Sequence, residues 1–279
     1  MPSTTSRTRA RDGTELLVRH WAAAGDAWAT VVLVHGIAEH SGRYEHVGDW
    51  LAAAGLEVGG FDLRGFGGSG GRRAFVERWR VLHDDLAERI AAARADAAGR
   101  PVVVWGHSLG GLIALGYCVS EVTPDLPDAL VLSAPALDSA TPRWQRVLAG
   151  ILTRVAPTIL VKNAFDGSAL SRDPRVAEAY VADPLNQHST TTRFGAEALA
   201  EGARVRTALD RLSIPTYVLH GEADRLVPPS ASEPLGRLPG VTRRTWPGLR
   251  HESHNEPEGQ AVVAAAVAWL RSVLQSTDN

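Results

Sequence analysis

Residues 101–119 read PVVVWGHSLGGLIALGYCV: a continuous apolar run, a serine between glycines, and a second apolar stretch of helical length. The run before the glycine shows no alternation of polar and apolar residues, as a strand buried on both faces requires. Leu109 to Val119 is rich in Leu, Ile and Ala and reads as a helix. Between them, Gly106-His107-Ser108-Leu109-Gly110 fits G-x-S-x-G in the strand-to-helix context that this motif needs. A serine on so sharp a turn projects its hydroxyl from the end of the sheet, and the small residues on either side relieve the crowding. The helix behind it adds free backbone N–H groups and the positive end of a dipole. Ser108 is therefore the candidate nucleophile.

Outward from this unit the same rhythm repeats. Short apolar runs at Thr30–Val34, Glu57–Leu63, Ala129–Leu132 and Pro215–Leu219 read as further strands. Tyr44–Ala54 and Val76–Ala98 read as helices between the earlier ones. Strand, helix, strand in succession implies right-handed crossovers, so the fold class is α/β with a mostly parallel sheet covered on both faces. The rhythm breaks between Leu137 and Val205. There Trp144, Val147, Leu148, Ile151, Leu152 and Val155 recur at helical spacing, followed by loops such as SRDP (171–174) and ADPL (182–185). The chain thus divides into a core of residues 1–136 and 206–279 and an inserted cap, or lid, of residues 137–205. The Trp144 stripe fits either a helix packed on the core or a face turned toward a ligand.

A serine hydroxyl is a weak nucleophile near neutral pH, so it needs a base, and the base needs an acid to fix its tautomer. For a serine on this type of turn the partners follow in the chain order acid, then histidine. Asp224 lies in the loop after the strand PTYVLHG, where Arg-Leu-Val-Pro-Pro ends the turn. Glu222 and Asp210 are its rivals. His251 follows the next strand, Val241–Trp246, and its rival is His254, expected to open the final helix with its ring along the helix surface. His20, His46, His83 and His188 fall on other elements and read as surface or packing residues. His35 and His107, beside glycines at strand ends, are expected to hydrogen-bond neighbouring loops. The backbone N–H of Leu109 and one from the loop His35-Gly36-Ile37 would supply an oxyanion hole. The spacing His251-Glu252-Ser253-His254 is not that of H-E-x-x-H, so no metal is implied, nor any other cofactor.

Composition sets the bounds. The 279 residues are 44% hydrophobic and 22% charged with a formal net charge of −2, which offers no electrostatic case for nucleic acid. The single cysteine, Cys118, cannot form an intrachain disulfide, which suits a reducing compartment. The N-terminal MPSTTSRTRARDG lacks the apolar stretch of a secretory signal. The longest apolar run, Ala261–Leu270, is half of the roughly 20 residues that span a bilayer. A cytoplasmic protein, with peripheral contact to a lipid surface through the Trp144 helix, is the expectation; nothing indicates an oligomeric state.

Several longer stretches carry a family resemblance. HGIAEHSGRYEHV (35–47) and GFDLRGFGGSGG (60–71) resemble signature segments of the monoacylglycerol lipases and related lysophospholipases of the α/β-hydrolase superfamily, bacterial members above all. GHSLGG (106–111), LSAPAL (132–137), SRDP, LHGEADRLVP (219–228) and PGLRHESHNEPE (247–258) continue the match. It runs from about Asp12 to Leu270 and is weakest in the cap. The resemblance implies an α/β-hydrolase fold, Ser108, Asp224 and His251 as the triad, and Ile37 and Leu109 as the oxyanion-hole residues. It favours His251 over His254 through the segment HESHNEPE. It also implies hydrolysis of a single-chain lipid ester to fatty acid and glycerol through an acyl-enzyme. A lysophospholipase, an esterase for short soluble esters, a peptidase and a non-catalytic ligand-binding scaffold are the alternatives. Glu39, His40 and Arg43 would lie near the site, either fixing the loop of Ile37 or, with Trp144, contacting substrate. Phe66 departs from the pattern, standing where the family usually has a histidine.

Overall fold

The apolar runs without alternation are buried on both faces. In the computed structural model, which describes residues 2–122, 125–138, 153, 155–162 and 167–275, eight strands form one sheet. In chain order they are β1 (Thr4–Arg9), β2 (Glu15–Trp21), β3 (Ala29–Val34), β4 (Leu56–Phe61), β5 (Val102–His107), β6 (Ala129–Ser133), β9 (Thr216–Gly221) and β10 (Val241–Trp246). Their order across the sheet is β1-β2-β4-β3-β5-β6-β9-β10. β2 pairs antiparallel with β1 and β4, and every other pairing is parallel. Val32, Val34, Val102, Val104, Leu130 and Leu132 share one core with α2 (Arg80–Asp96) and α3 (Leu109–Cys118). Val31, Leu33, Val103, Trp105 and Val131 share the other with α1 (Glu45–Ala53) and α6 (Gly259–Leu274). Alternate residues of each strand thus feed two separate cores, which is why neither polar face nor period-two pattern shows in the sequence. This is the α/β-hydrolase architecture.

Between β6 and β9 lie β7 (Leu160–Lys162), α4 (Pro174–Ala182), β8 (Ser189–Thr191) and α5 (Thr192–Arg206), with β7 and β8 paired antiparallel as a separate ribbon. Asp173 caps α4 by accepting from the Arg175 N–H, with Pro174 in the first turn, so SRDP is a helix start. Phe194 and Val205 of α5 are buried in the core that α3 shares. Trp144, Val147, Leu148, Ile151 and Leu152 lie outside the described residues. Among the described residues, no helix is long and apolar enough to cross a membrane.

One strand was not foreseen and two local expectations change. The N-terminal segment holds β1, a strand with exposed polar residues and no hydrophobic face to betray it. The helix expected from Val76 begins at Arg80, because Ala74 has φ of 46° and residues just before the helix bond to the insertion through Thr191 and Glu197. His254 does not open the final helix, which starts at Gly259; it sits in a short 3-10 turn with its ring buried. Phe66 is buried edge-on against Phe194, at 5.3 Å between ring centres, and against His35 at 6.2 Å, so at this position an apolar contact stands where a histidine would hydrogen-bond.

The glycines of the turn have no freedom. A Cβ on Gly106 would lie 2.6 Å from the Gly110 carbonyl oxygen and 2.8 Å from Gly111 Cα, whereas one on Gly59 would meet only the Val31 oxygen at 3.9 Å. Gly106→Ala is expected to lower unfolding free energy in urea by about 1–3 kcal/mol through overpacking. Gly59→Ala should be neutral or raise it by about 0.5–1 kcal/mol, the cost of glycine in a strand.

Candidate active site

The C-terminal ends of β3, β5, β6, β9 and β10 bring the candidate residues to one edge of the sheet. Ser108 follows β5 with φ of 50° and ψ of −113°, a left-handed conformation costly for any residue with a Cβ. It is held there on both sides: its N–H donates to the Ser133 carbonyl (2.8 Å), and its carbonyl accepts from Leu112 and Ala136 (3.0 Å each). Ala38 and Ala134, also with positive φ, lie in the loops after β3 and β6. Leu109 opens α3, so its N–H is among those that a helix leaves without an intrahelical acceptor. The loop after β3 runs directly against the serine, since a Cβ on Gly36 would sit 3.3 Å from Ser108 Cβ and 3.2 Å from His107 Cδ2. The structure thus brings the loop that carries Ile37 against the Ser108–Leu109 turn through Gly36.

Asp224 and His251 meet behind this turn. His251 Nδ1 lies 2.7 Å from Asp224 Oδ2, with both side chains buried. Asp224 Oδ1 accepts from the N–H groups of Leu226 (2.8 Å) and Val227 (3.0 Å), which fixes the carboxylate by its own turn. Burial alone would raise the Asp224 pKa, but the His251 imidazole and the hydrogen bonds from His220, His251 and Val227 hold it well below the usual carboxylate range. A partner missed in the sequence is His220, whose Nε2 is 3.2 Å from Asp224 Oδ2 and 3.0 Å from the Val227 carbonyl, while its Nδ1 faces Ser232 Oγ at 2.9 Å. With two acceptors at Nε2, the proton belongs there. Its place at the end of β9, four residues before Asp224, was the available clue. The rival Glu222 bonds the Thr245 hydroxyl in an exposed position.

The other imidazoles at the site are kept neutral. His107 lies 4.8 Å from His251 between ring centres and 4.9 Å from His254, which in turn stacks on Tyr44 at 5.0 Å. Burial, with His251 nearby, pushes His107 down to about 3, and burial with His107 nearby pushes His254 well below its ordinary value. His251 is buried as deeply, yet the charge and hydrogen bond of Asp224 outweigh desolvation and raise its pKa. In this cluster the added proton is directed to His251. His107 Nδ1 contacts Ser133 Oγ (3.1 Å), and His35 Nε2 accepts from the Leu63 N–H (2.8 Å), as loop-holding residues would.

Glu39, His40 and Arg43 are all engaged with protein groups. Glu39 accepts from the Gly36 N–H and from Tyr44 Oη (2.7 Å). Arg43 pairs with Glu39 and makes two bonds to Glu252, at 2.6 and 2.8 Å. His40 Nε2 reaches Asp183 Oδ2 at 2.8 Å, at the end of α4. One guanidinium thereby joins the loop before Ile37 to the residue after His251. Arg43→Ala would leave two buried carboxylates without their partner. We expect a loss of about 3–5 kcal/mol in urea unfolding; a loss under about 1 kcal/mol would show that the network does not hold the loops.

The sequence pattern of the serine aminopeptidase S33 family matches residues 25–258. A monoacylglycerol lipase of Mycolicibacterium smegmatis is 38% identical over 269 residues, covering 94% of this chain and 95% of that protein. The monoglyceride lipase of Homo sapiens is 32% identical, covering 88% of this chain and 82% of that protein. Among solved structures, the monoacylglycerol lipase of Paleococcus ferrophilus superposes with a TM-score of 0.78 at 30% identity, covering 98% of this chain and all of that one. The chain belongs to the family that the serine aminopeptidase S33 pattern describes, and within the α/β hydrolases it groups with the monoacylglycerol lipases.

Proposed function

We propose that this protein is a serine hydrolase that cleaves monoacylglycerols to fatty acid and glycerol, with Ser108, His251 and Asp224 as its triad. The 2.7 Å contact of His251 with a buried, ionised Asp224, one ring away from the strained Ser108 turn, carries the mechanistic reading. Likeness to the monoacylglycerol lipases carries the choice of ester. Ser108 Oγ attacks the ester carbonyl carbon as His251 Nε2 takes its proton, and the carbonyl oxygen becomes an oxyanion facing the N–H groups of Leu109 and Ile37. Each such donor is worth on the order of 3 kcal/mol in the transition state. His251 then protonates the departing glycerol oxygen, water repeats the sequence on the acyl-enzyme, and the fatty acid leaves.

The family name also admits a peptidase. An aminopeptidase must hold a substrate ammonium, for which a free carboxylate is the usual partner. Glu39 and Glu252, buried near His251, share the one Arg43 guanidinium, and Glu39 also accepts from Gly36 and Tyr44, so neither is a free carboxylate turned toward a substrate ammonium. This favours the ester. We assign residues 137–205 as the lid, and with it a lipid-facing surface: Val155, Ile159, Leu160 and Val161 are 76%, 51%, 63% and 52% exposed within one short stretch. Such clustering on a soluble face suits contact with an amphiphile surface.

Ser108→Ala should abolish fluorophosphonate labelling, and Asp224→Asn should cut kcat roughly 10^4-fold. Because the base must be neutral and the His251 pKa is raised, kcat/KM should fall as pH drops through a midpoint above 6.5, with Asp224→Asn moving it down. A profile flat to pH 4 would remove His251 as the base. Monoacylglycerols should be hydrolysed in preference to lysophospholipids, short nitrophenyl esters and aminoacyl amides. Activity confined to any one of the latter three would replace the substrate assignment. Leu160→Asp with Val161→Asp should weaken sedimentation with phospholipid vesicles while leaving hydrolysis of a soluble ester intact; unchanged sedimentation would locate lipid contact elsewhere.

A further inference from the structure

A cavity of about 310 Å³ lies between the sheet and α2, away from the triad. Its floor is set by β4. There Gly59 stands in register with His20 of β2 and Val32 of β3, and its missing side chain leaves the sheet bare, since a Cβ would meet only the Val31 oxygen at 3.9 Å. Across from it α2 contributes Ala92 and Ala93, again small. Thr30 lines the cavity from the start of β3, four residues before the end that leads to the loop of Gly36 and Ile37. The opening therefore lies toward the opposite end of the strands from the triad.

The polar groups around this space are unevenly satisfied. Glu57 is fully engaged, with one oxygen on His20 Nε2 and the other on the Ala23 N–H. Arg19 is paired with Glu45. By contrast, Thr30 Oγ1, Arg89 Nε and Arg100 Nε are buried and meet no hydrogen-bond partner in the protein. Of the eight buried side-chain nitrogen and oxygen atoms in that condition among the described residues, these three line this one cavity. Arg89 has no ion pair among the described residues. Burial acts against its charge, although a guanidinium stays protonated. Unmatched buried donors are costly, at about 1–3 kcal/mol each and more when charged, so their convergence calls for an acceptor. Asp96 also borders the cavity, its backbone carbonyl accepting from Arg100 Nη2 at 3.4 Å, while Val18, Val32 and Phe61 supply apolar walls.

We propose that this cavity binds a small monocarboxylate, its carboxylate accepting from Arg89, Arg100 and Thr30 and its short tail lying over Gly59 against Val18 and Phe61. Two guanidinium donors and a hydroxyl at one end with an apolar floor at the other match that class better than a plain anion, which leaves the floor uncovered, or an alcohol, which leaves the guanidinium groups unmatched. The volume sits at the low end of ligand sites, which limits the tail to a short one. The site stands independently of the chemistry at Ser108.

Isothermal titration of the full chain with octanoate, inorganic phosphate and hexanol tests this. Octanoate should bind at least tenfold more tightly than either other probe. Arg89→Gln should weaken it at least tenfold, and Gly59→Val, which fills the floor, should abolish the same binding event, while near-ultraviolet circular dichroism confirms that each variant is folded. Octanoate binding unaltered by Arg89→Gln would place it in the catalytic cleft and overturn the proposal. Phosphate binding as tightly as octanoate would reduce the cavity to an adventitious anion site, and no binding of octanoate would leave it to water; either result also overturns it.

Discussion

Everything at the catalytic edge depends on a backbone conformation that Ser108 would not adopt by itself. Its φ of 50° puts the hydroxyl at the edge of the sheet and points the first N–H groups of α3 the same way. Hydrogen bonds from both sides hold the strain: Ser133 anchors the serine nitrogen, and Leu112 and Ala136 its carbonyl. The turn closes only because Gly106, Gly110 and Gly111 let β5, α3 and the end of β3 approach to backbone contact. The parallel pairing of β3, β5 and β6 is thus a requirement of the nucleophile as well as its scaffold.

A second constraint ties two loops that the sheet alone leaves apart. The Arg43 guanidinium lies between Glu39, whose carboxylate receives the Gly36 N–H, and Glu252, the residue after His251. Two carboxylates and one guanidinium carry an excess negative charge into a buried region, a poor arrangement for stability on its own. The hydroxyl of Tyr44 and the N–H of Gly36 offset part of that cost by donating to Glu39. The excess charge has a further effect, since Glu39 and Glu252 both favour the protonated form of His251. The same two carboxylates also favour protonation of His254, and Glu252 that of His107, so the choice among the imidazoles rests on Asp224.

The sheet and the meeting of Asp224 with His251 near Ser108 were legible because each rests on a local signal. Buried parallel strands lose their alternation, the G-x-S-x-G turn needs glycine on steric grounds, and Asp224 and His251 fall at strand ends in the expected order. What stayed hidden depends on packing across the fold. β1 is an edge strand whose polar residues face solvent, so no hydrophobic period marks it. His220 had one sequence clue, its place four residues before Asp224, but its role rests on contacts with Asp224 and Ser232 that only the fold brings about. His254 read as a helix opener because helix and 3-10 turn share their starting residues, and its burial comes from Tyr44 and His107, far away in sequence.

These contacts leave one imidazole of several suited to the proposed role of base. A buried imidazole without a carboxylate bonded to it stays neutral, since desolvation penalises its charged form, and two adjacent imidazoles penalise each other further. His107 and His254 meet both conditions. His251 escapes chiefly through Asp224, and Asp224 stays ionised through His251 together with the donors of its own turn and His220. The chain of dependence therefore runs from the β9 loop to the carboxylate, from the carboxylate to the imidazole, and from there to the serine. The residues with no role in bond making, His220 among them, fix the proton inventory within which Ser108 can react.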